Sequence, residues 1–592
     1  MVSGAQAAGG LDDTFGLGGV AFTPLSPDSD RYLATAPGPG GGTYNVGYTT
    51  VSGTDRAFAI SRVSASGDLV PSFGTDGVAV VNVVTGPFNP PPTGTAPNGT
   101  AELARGVIVQ KDGKIVVSGQ AETPPAEVKP DSRDLDIYLV RLNPDGTVDT
   151  TFGPGGTGIV RIDLSDGVAG TGVNTDQSYG LTQRPTGEII VVGAKGTDSG
   201  APAKADRDLV VVQLSQDGAI DAAFGTAGVA TANTPGVNEN PRQAIVEADG
   251  KVTATSYGAL GSNPVRPWIS RFLPNGQPDA SFGNGGVATG DVGGPAPGFA
   301  ESYEIVKQGD GYVFTGYGSR STTPENGIDA VVYRFTANGT WDTSFGDGGL
   351  TTYNRVNGAD RGRDMTVLAD GRLVITGSSA TAAATPDLDG LILVVLPDGK
   401  LDTSIGDGGA IVVDLGGPND AFFGAATVTN GTQVVAAGYR GGATAAGDES
   451  ALVRVNLPTP PAAAPVSPTP TQPTAPGKAA TAAPKPTFTT VVRGGKVYLQ
   501  VRATLARSLA GRTFVVQRKV GARTLKVSSF KVPANGRVNR QVLLKAGSRS
   551  GALGVRGLKR ISVRATIGST ATAKAASSAF RNVAVKSLPR RR

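Results

Sequence analysis

The chain has 592 residues, enough for more than one domain, and contains neither cysteine nor histidine. This double absence excludes thiolate and imidazole metal sites, cysteine nucleophiles and triads with a histidine base, and leaves Asp, Glu, Lys and Tyr for any acid–base chemistry. Residues Gly477 to Arg592 include 26 Lys plus Arg and no Asp or Glu, whereas the rest of the chain holds 28 basic and 49 acidic residues. An acidic body is therefore joined to a basic C-terminal region.

Residues 1–9 include Ala5-Gln6-Ala7, a pattern typical of a signal-peptide cleavage site, but lack the basic and apolar regions that should precede one. Two interpretations stay open: a signal peptide lost through a late start codon, or ordinary small-residue sequence. The 86 Gly and 41 Pro residues, with only 17% charged residues, favour a turn-rich, all-β protein that is secreted or associated with the cell envelope. No run of eighteen apolar residues occurs, so the sequence predicts no transmembrane helix.

A motif typified by Asp149-Thr-Thr-Phe-Gly-Pro-Gly-Gly156 recurs seven times between residues 10 and 457. Its two glycines are present in every copy, whereas Ile405 replaces the phenylalanine once and Val70 replaces the leading aspartate once. Such a repeat indicates one supersecondary unit per copy, each burying its apolar face against its neighbours. The aligned positions are Phe15, Gly16 and Gly19; Phe73, Gly74 and Gly77; Phe152, Gly153 and Gly156; Phe224, Gly225 and Gly228; Phe282, Gly283 and Gly286; Phe345, Gly346 and Gly349; and Gly406 and Gly409.

Each unit contains four short Val- and Ile-rich runs bounded by Asp-Gly or Asn-Gly, which are typical of strands. One strand, residues 19–23, is surplus at the start, and the last unit ends at Leu457 without its fourth strand. If the N-terminal strand completes the last sheet, the array closes into a ring without exposed edges. The sequence therefore predicts a seven-bladed β-propeller of four-stranded antiparallel blades over residues 10–457.

The connections within the predicted blades differ in length. Tight Asp-Gly turns join the first and second strands, and the glycine motif joins the third and fourth, so both emerge on one face. The connections from second to third strand and from blade to blade vary most and emerge on the other face. Variable loops on a rigid scaffold are the usual place for binding.

Three segments follow the predicted propeller. Residues 458–486 are dominated by Pro, Ala and Thr and predict an extended linker. Residues 487–586 contain about seven alternating runs, which predict a small immunoglobulin-like β-sandwich, and residues 587–592 form a basic tail. Uncompensated basic residues favour binding to polyanions, here acidic envelope polymers, with docking onto the acidic propeller or non-specific nucleic-acid binding as alternatives.

The block Asn275-Gly-Gln-Pro-Asp-Ala-Ser-Phe-Gly-Asn-Gly-Gly-Val287, together with Ala369-Asp-Gly-Arg-Leu-Val-Ile-Thr-Gly377, resembles the delta-60 repeat, a bacterial β-propeller-type repeat of largely unassigned activity. The resemblance extends over about residues 10–457. It implies a propeller and no chemistry.

Acidic residues recur at two places in the repeat. The motif carboxylates are expected to cap their own turns rather than to bind cations; they are Asp12, Asp149, Asp221, Asp279, Asp342 and Asp402. A second series precedes the third strands and comprises Asp55, Asp134, Asp136, Asp206, Asp208, Asp329, Asp387, Asp389 and Asp448. Within it, Asp387 and Asp389 are the candidate Ca²⁺ ligands. The competing interpretation pairs the series with third-strand arginines, namely Arg62, Arg141, Arg271, Arg334 and Arg454.

Two functional hypotheses follow. The favoured one is an exported, monomeric, non-enzymatic scaffold without a cofactor, whose loops bind a protein partner or glycan while the basic module contacts anionic envelope polymers. The alternative is a polysaccharide hydrolase or lyase, which would place carboxylates about 5–10 Å apart, with raised pKa values, in the central channel. The candidate cluster for that chemistry is Tyr303, Glu304, Tyr312, Tyr317, Arg320 and Glu325.

Overall fold

A computed structural model describes two units of the chain, which separate between Ala463 and Ala464. The first unit is described at residues 10–26, 29–52, 55–84, 102–122, 134–165, 174–197, 206–232, 234, 236–261, 263–290, 299–319, 328–356, 358–381, 387–428, 431–442 and 447–457. The second unit is described as backbone strands within residues 487–584. Residues 1–9, the linker 458–486 and the tail 587–592 lie outside the described residues, as do Arg320 and Glu325.

The first unit is a seven-bladed propeller. The main strands of each blade are antiparallel, and in blades 1 to 6 they follow one another in chain order. The strands of blade 1 are Asp30–Pro37, Thr43–Ser52, Asp55–Val63 and Val78–Val81; of blade 2, Leu103–Val109, Ile115–Glu122, Asp134–Leu142 and Ile159–Ile162; of blade 3, Gln177–Gln183, Ile189–Thr197, Asp206–Leu214 and Val229–Ala232; of blade 4, Asn240–Val246, Val252–Gly258, Arg266–Phe272 and Val287–Thr289.

The remaining blades follow the same order. Blade 5 consists of Phe299–Ala300 with Glu304–Gln308, then Gly311–Ser319, Asp329–Phe335 and Leu350–Tyr353; blade 6 of Arg361–Val367, Leu373–Ala380, Leu388–Val395 and Ala410–Val413; blade 7 of Ala421–Val428, Gln433–Arg440 and Glu449–Asn456. Two small elements add to blades 1 and 2: the 3₁₀ turn Pro39–Gly41, and Asn174–Thr175, which pairs in parallel with the third strand of blade 2.

The N-terminal segment completes blade 7, as the sequence predicts. Val20–Phe22 pairs antiparallel with the third strand of that blade, with Ala21 opposite Leu452, and Gly10–Leu11 pairs with the end of the same strand. The hydrophobic core of the described propeller is divided into clusters between neighbouring blades, and one of them joins Phe15 and Ala21 to Tyr32 of blade 1. The ring is therefore closed by strand pairing and by packing.

The first strand of each blade is innermost. Each contacts the first strands of both neighbouring blades, and the series closes where Ala421–Val428 meets Asp30–Pro37. Because every first strand begins where the variable connections enter the blade, its N-terminal half faces the mouth of the channel on the variable-loop side.

Buried arginines at the ends of the third strands join neighbouring blades. In blade 2, Arg141 Nε donates to Asp149 Oδ2 at 2.6 Å, and Arg141 Nη1 donates to the carbonyl of Gln216 in blade 3 at 2.8 Å. The Arg141 guanidinium also lies 4.7 Å from the centroid of the Phe152 ring. The same arrangement recurs at Arg271, Arg334 and Arg454, each with the aspartate of its own motif. The prediction that these arginines pair with the second acidic series is therefore wrong for these four, because the motif aspartate lies beside them in the same sheet.

Three blades depart from this arrangement. In blade 3, Gln213 replaces the arginine, donates to Asp221 at 2.7 Å and accepts from Arg184 at 2.8 Å. In blade 6, Arg372 of the second strand lies 3.3 Å from Asp402. In blade 1 the motif carries Val70, so Arg62 has no motif aspartate beside it.

The glycine motif of blade 2 is two residues longer than the aligned copies. Arg141 N donates to Gly158 O, the bond that Gly228 O accepts in blade 3 and Gly286 O in blade 4. Gly158, and not the aligned Gly156, therefore takes the second glycine position in blade 2.

The C-terminal unit contains two antiparallel sheets. One consists of Thr487–Arg493, Lys496–Thr504 and Arg537–Leu544; the other of Arg523–Lys531, Thr513–Val520, Arg560–Ile567, Ala576–Ser577 and Arg581–Ala584. The two sheets agree with the predicted all-β module, and its immunoglobulin-like assignment stays a prediction. Among the described residues of both units, no helix has the length and hydropathy needed to cross a membrane.

Candidate binding site in the central channel

The inner strands share an irregularity that sets the lining of the channel. In six blades the pairing of the first with the second strand shifts by a β-bulge, and in blade 5 the first strand is interrupted between Ala300 and Glu304. Bulges redirect a side chain without ending the sheet. The residues at this position, which we term the channel ring, are Leu33, Arg105, Tyr179, Arg242, Tyr303, Arg363 and Phe423.

Arginine and aromatic residues alternate around the channel ring from blade 2 to blade 7. The Arg242 guanidinium lies 4.5 Å from the ring centroid of Tyr179 and 4.6 Å from that of Tyr303, and Arg363 lies 4.6 Å from Tyr303 and 5.3 Å from Phe423. Arg105 lies 5.4 Å from Tyr179. Each guanidinium is attracted to the negative faces of its aromatic neighbours, so these contacts hold adjacent blades together at the channel.

Tyrosines at the ends of the second strands form an outer layer behind the channel ring. Arg242 Nη2 donates to Tyr257 OH at 2.5 Å, and the Tyr257 and Tyr303 rings stack with centroids 5.8 Å apart. Tyr303 also contacts Tyr317, at 5.5 Å between centroids, and Phe423 stacks on Tyr439 at 6.0 Å. This second layer fixes the positions of the ring side chains.

Within the described propeller, two guanidinium groups of the channel ring have an unpaired N–H donor. Arg105 Nε and Arg242 Nε are inaccessible to solvent and have no hydrogen-bond partner among the residues that the structure describes, although both side chains remain partly exposed as a whole. Burial lowers the pKa of Arg105, and the positive charges of Arg242 and Arg363 lower it further. Burial opposes ionisation of Tyr303, but the same two arginines outweigh it and lower the pKa of that phenol. The site therefore has an excess of positive charge.

Two carboxyl groups lie just beyond the channel ring, between blades 5 and 6. Asp364 accepts hydrogen bonds from the backbone N–H groups of Met365 at 2.6 Å and Ala425 at 2.8 Å, and Glu304 accepts from Ile305 at 3.0 Å. Burial, together with the nearby Asp364, raises the pKa of Glu304 well above its usual range; burial raises the pKa of Asp364 to about 7. The two groups hydrogen-bond to each other, which requires a shared proton.

A further set of buried carboxylates anchors the chain where it enters six of the blades: Asp30, Glu102, Asp176, Glu239, Asp360 and Asp420. Glu102, for example, accepts from Val84 N at 3.0 Å and Val83 N at 3.3 Å in the preceding connection. Burial raises the pKa of Glu102 and of Glu239 to about 8. Sequence reasoning missed these residues; their recurrence three positions before the channel ring was the available signal.

The motif aspartates cap their own turns. Asp12 Oδ1, for example, accepts from the backbone N of Thr14 at 3.1 Å and from its hydroxyl at 2.7 Å, and the other five accept from the equivalent backbone N–H two residues on. The capping prediction is confirmed.

Several members of the second acidic series pair with arginines outside the third strands. Asp136 accepts from Arg161 at 2.6 Å, Asp448 from Arg31 at 2.6 Å and Asp389 from Arg355 at 2.8 Å. Asp387 accepts from Leu388 N at 2.7 Å. Calcium binding at Asp387 and Asp389 stays a prediction. The Asp134 and Asp206 side chains lie outside the described ones.

Carboxylates also cluster where blades 2 and 3 meet. Asp136, Asp163 and Asp176 bring one oxygen each within 4.8 Å of one another. Arg161 donates to Asp136 at 2.6 Å and to Asp163 at 3.1 Å, so a guanidinium already supplies compensating charge to this group.

The predicted catalytic cluster is only partly brought together. Tyr303 of the channel ring contacts Tyr317 of the layer behind it, and Glu304 follows Tyr303 in the chain. Tyr312 donates to Glu247 and accepts from Arg271, away from the channel ring. Sequence reasoning found Tyr303, Tyr317 and Glu304 but missed the arginines of the channel ring. An alignment of the seven first strands, position by position, would have shown the alternation.

Comparison with known proteins gives a family match over two short segments. The family model described as "Domain of unknown function (DUF5122) beta-propeller" matches residues 133–152 and 247–282. The first segment contains the third strand of blade 2, and the second contains the second and third strands of blade 4. Both segments end at the phenylalanine of the motif, before its glycines. No curated protein sequence matches the chain.

Several solved structures match the chain at low identity and low TM-score. A protein of unknown function from Dyadobacter fermentans is 10% identical, with 74% of this chain and 98% of that chain covered and a TM-score of 0.38. The NanB sialidase of Streptococcus pneumoniae is 10% identical, with 73% and 69% covered and a TM-score of 0.36. An ulvan lyase of polysaccharide lyase family PL25 is 12% identical, with 67% and 97% covered and a TM-score of 0.30. Such values carry no inference about ligand or activity.

Proposed function

We propose that this β-propeller is an exported, non-enzymatic binding protein that holds a partner or glycan at the variable-loop mouth of its central channel. One observation carries the proposal: three guanidinium groups and three aromatic rings, supplied by six different blades, converge at that mouth. Arginine and aromatic side chains dominate the energetics of recognition sites. A site assembled from six blades is also pre-organised by the closed ring.

The channel carboxyls support binding over hydrolysis. Asp364 is held by two backbone N–H groups and Glu304 by one, and the two share a proton with each other. A glycoside hydrolase holds its two carboxyls about 5–10 Å apart, on either side of the scissile bond, whereas Glu304 and Asp364 are in hydrogen-bond contact with each other. A pair engaged in this way favours a positioning role for both groups.

The basic C-terminal unit is proposed to contact anionic envelope polymers and so to keep the propeller near the cell surface. Its support is the segregation of 26 basic residues, without any acidic one, into residues 477–592. Neutralising polyanion charges releases counterions, so such binding should weaken steeply with added salt. Export, the immunoglobulin-like fold of the unit and the delta-60 assignment of the repeat belong to the same proposal.

A glycan array probed with the full chain, and with a chain ending after Leu457, tests the binding proposal. Every strand of the seven blades lies between Gly10 and Asn456, so the shorter chain keeps each sheet complete. We expect both chains to bind the same glycans without releasing reducing ends or unsaturated products. Binding by neither chain, or turnover of a bound glycan, would contradict the proposal.

Cosedimentation with cell-envelope preparations tests whether the basic C-terminal unit attaches the protein to the envelope. The full chain is compared with the chain that ends after Leu457. The full chain should sediment with the preparations at low salt and be released by added salt, whereas the shorter chain should remain in solution. Equal sedimentation of the two chains would refute a tether in the basic unit.

A further inference from the structure

Resting on the proposed function, we infer that the channel ring binds the carboxylate of an acidic sugar. Arg105, Arg242 and Arg363 would bind the anion, and the adjoining aromatic residues would contact the sugar ring. The inference depends on the charge, the free donors and the chemical asymmetry of the channel ring.

The positive charges of the site exceed the negative charges facing them. Arg105, Arg242 and Arg363 belong to the channel ring, and Arg361 lies 5.5 Å from the Tyr317 ring in the layer behind it. The carboxyls that face them are Glu301 and the Glu304–Asp364 pair, which retains a shared proton. An anion would relieve the mutual repulsion of these arginines, which otherwise costs free energy in a partly desolvated site.

The unpaired donors indicate that the described site has more N–H groups than acceptors. Arg105 Nε and Arg242 Nε have no acceptor within the described protein, and a buried unpaired donor is costly. The planar guanidinium presents two parallel N–H groups that match the two oxygens of a carboxylate. Arg242 and Arg363 each lie 4.6 Å from the centroid of the Tyr303 ring, so both guanidinium groups belong to the same part of the channel ring.

The channel ring is also asymmetric. Two residue types cannot alternate completely around a ring with an odd number of positions. The alternation of arginine and aromatic residues is broken between blades 7 and 1, where Phe423 is followed by Leu33. The two channel-ring residues of this arc are apolar, and blades 2, 4 and 6 supply the three arginines of the ring. Behind the arc, Arg31 lies 4.0 Å from the Tyr439 ring and is neutralised by Asp448. A ligand with a charged group on one side and a C–H-rich face on the other matches this division, and a pyranose that carries a carboxylate has that form.

A matched pair of probes tests the inference: an oligogalacturonate and the same oligosaccharide with its carboxyls methyl-esterified. Calorimetric titration of the full chain should show binding of the acid and little binding of the ester. Arg105→Gln and Arg363→Gln should each lower the affinity for the acidic oligosaccharide by about 10- to 100-fold, the usual effect of losing a hydrogen bond to a charged group. Arg62→Gln is the matched control, since Arg62 lies 5.9 Å from the Tyr44 ring, outside the channel; it should leave the affinity unchanged.

The basic C-terminal unit can bind the same acidic probe, so the affinities of the channel-ring variants show whether the binding site is in the channel. If all four proteins bind the acid equally, the site is not in the channel and the inference is wrong, while the proposed function could still hold. A sulfated oligosaccharide that binds more tightly than the uronate, through the same arginines, would overturn the carboxylate assignment. Circular dichroism and thermal unfolding of each variant separate loss of binding from loss of fold. If both ring variants unfold, the comparison of acid and ester is made on the chain that ends after Leu457, which lacks the basic unit; equal binding of acid and ester by that chain would overturn the inference.

Discussion

Arg141 Nε and Asp149 Oδ2 lie 2.6 Å apart, and their side chains are only 2% and 5% exposed. Arg141 also reaches the Gln216 carbonyl in the next blade, so one ion pair fixes a turn and joins two sheets. Burial opposes ionisation of Asp149, but hydrogen bonds from Lys114, Thr151 and Arg141 outweigh it and lower the pKa of its carboxyl.

Arg141→Met should destabilise the propeller by about 1.5–3 kcal/mol, the cost of losing hydrogen bonds to a charged group. Asp149 keeps Lys114 at 2.9 Å but loses Arg141, and the Gln216 carbonyl loses its donor. Chemical denaturation followed by tyrosine and tryptophan fluorescence measures the change. Arg62→Met is the matched control: blade 1 has Val70 in place of the aspartate, so the loss should stay below about 1 kcal/mol. Equal losses in the two variants would contradict a special role for the buried pair.

How far the sequence predicts this molecule depends on whether a feature is local. Gly16 adopts a φ of 54°, and a Cβ there would lie 2.1 Å from the Val20 carbonyl oxygen, so its presence reports a turn that can be seen within five residues. Blade number, ring closure and turn capping follow from such local signals. The channel ring does not follow from local signals. Arg105, Arg242 and Arg363 belong to strands that are far apart in the sequence, and a β-bulge in each strand sets the position of its arginine.

The buried carboxylates at the blade entrances predict a stability that falls as the pH rises. Burial raises the pKa of Glu239 and Glu102 to about 8, above the value near 4.3 of an unfolded chain. Between the unfolded-state and folded-state pKa values of these carboxyls, the folded protein binds more protons than the unfolded one. Over that pH range, each carboxyl lowers the free energy of unfolding by up to ~1.4 kcal/mol for every unit by which the pH rises.

Glu239→Gln should reduce this slope, since an amide does not titrate and can still accept from Thr234 N, which lies 2.9 Å from Glu239 Oε1. Urea denaturation between about pH 5 and pH 8 measures it. Asp279→Asn is the control: burial opposes ionisation there, but hydrogen bonds from Ser281 and the charge of Arg271 lower the pKa of Asp279, so its effect should be constant over the same range. An unchanged slope in Glu239→Gln would show that Glu239 does not titrate in this window.

The lowered pKa of Tyr303 can be read from the ultraviolet absorbance of its phenolate. The unmodified chain should show a tyrosine that ionises below the ordinary value of about 10, and Tyr303→Phe should lose that step. Tyr257→Phe is the matched control, because burial raises the pKa of Tyr257 and its phenol should not contribute to the early step. An early step that persists in Tyr303→Phe would assign it to another tyrosine and weaken the case for excess positive charge in the channel.

Removal of residues 1–22 should open the propeller. The third strand of blade 7 would then expose the edge that now pairs with Val20–Phe22, and such an edge invites pairing with a second chain. We expect a lower unfolding temperature and oligomers in size-exclusion chromatography. Removal of residues 1–9 alone, which keeps every strand that the structure describes, should change neither measurement.

The pairing of Ala21 with Leu452 also sets the order in which the molecule can form during its synthesis. The earliest propeller segment to leave the ribosome has no partner until almost all of the remaining blades have been translated. The nascent chain must therefore hold an unsatisfied strand in solution for most of that time, and the final step is the closing of a very long loop, which is slow and prone to capture by other chains. A chaperone that shields the first two dozen residues would act on the step that commits this protein to its closed form.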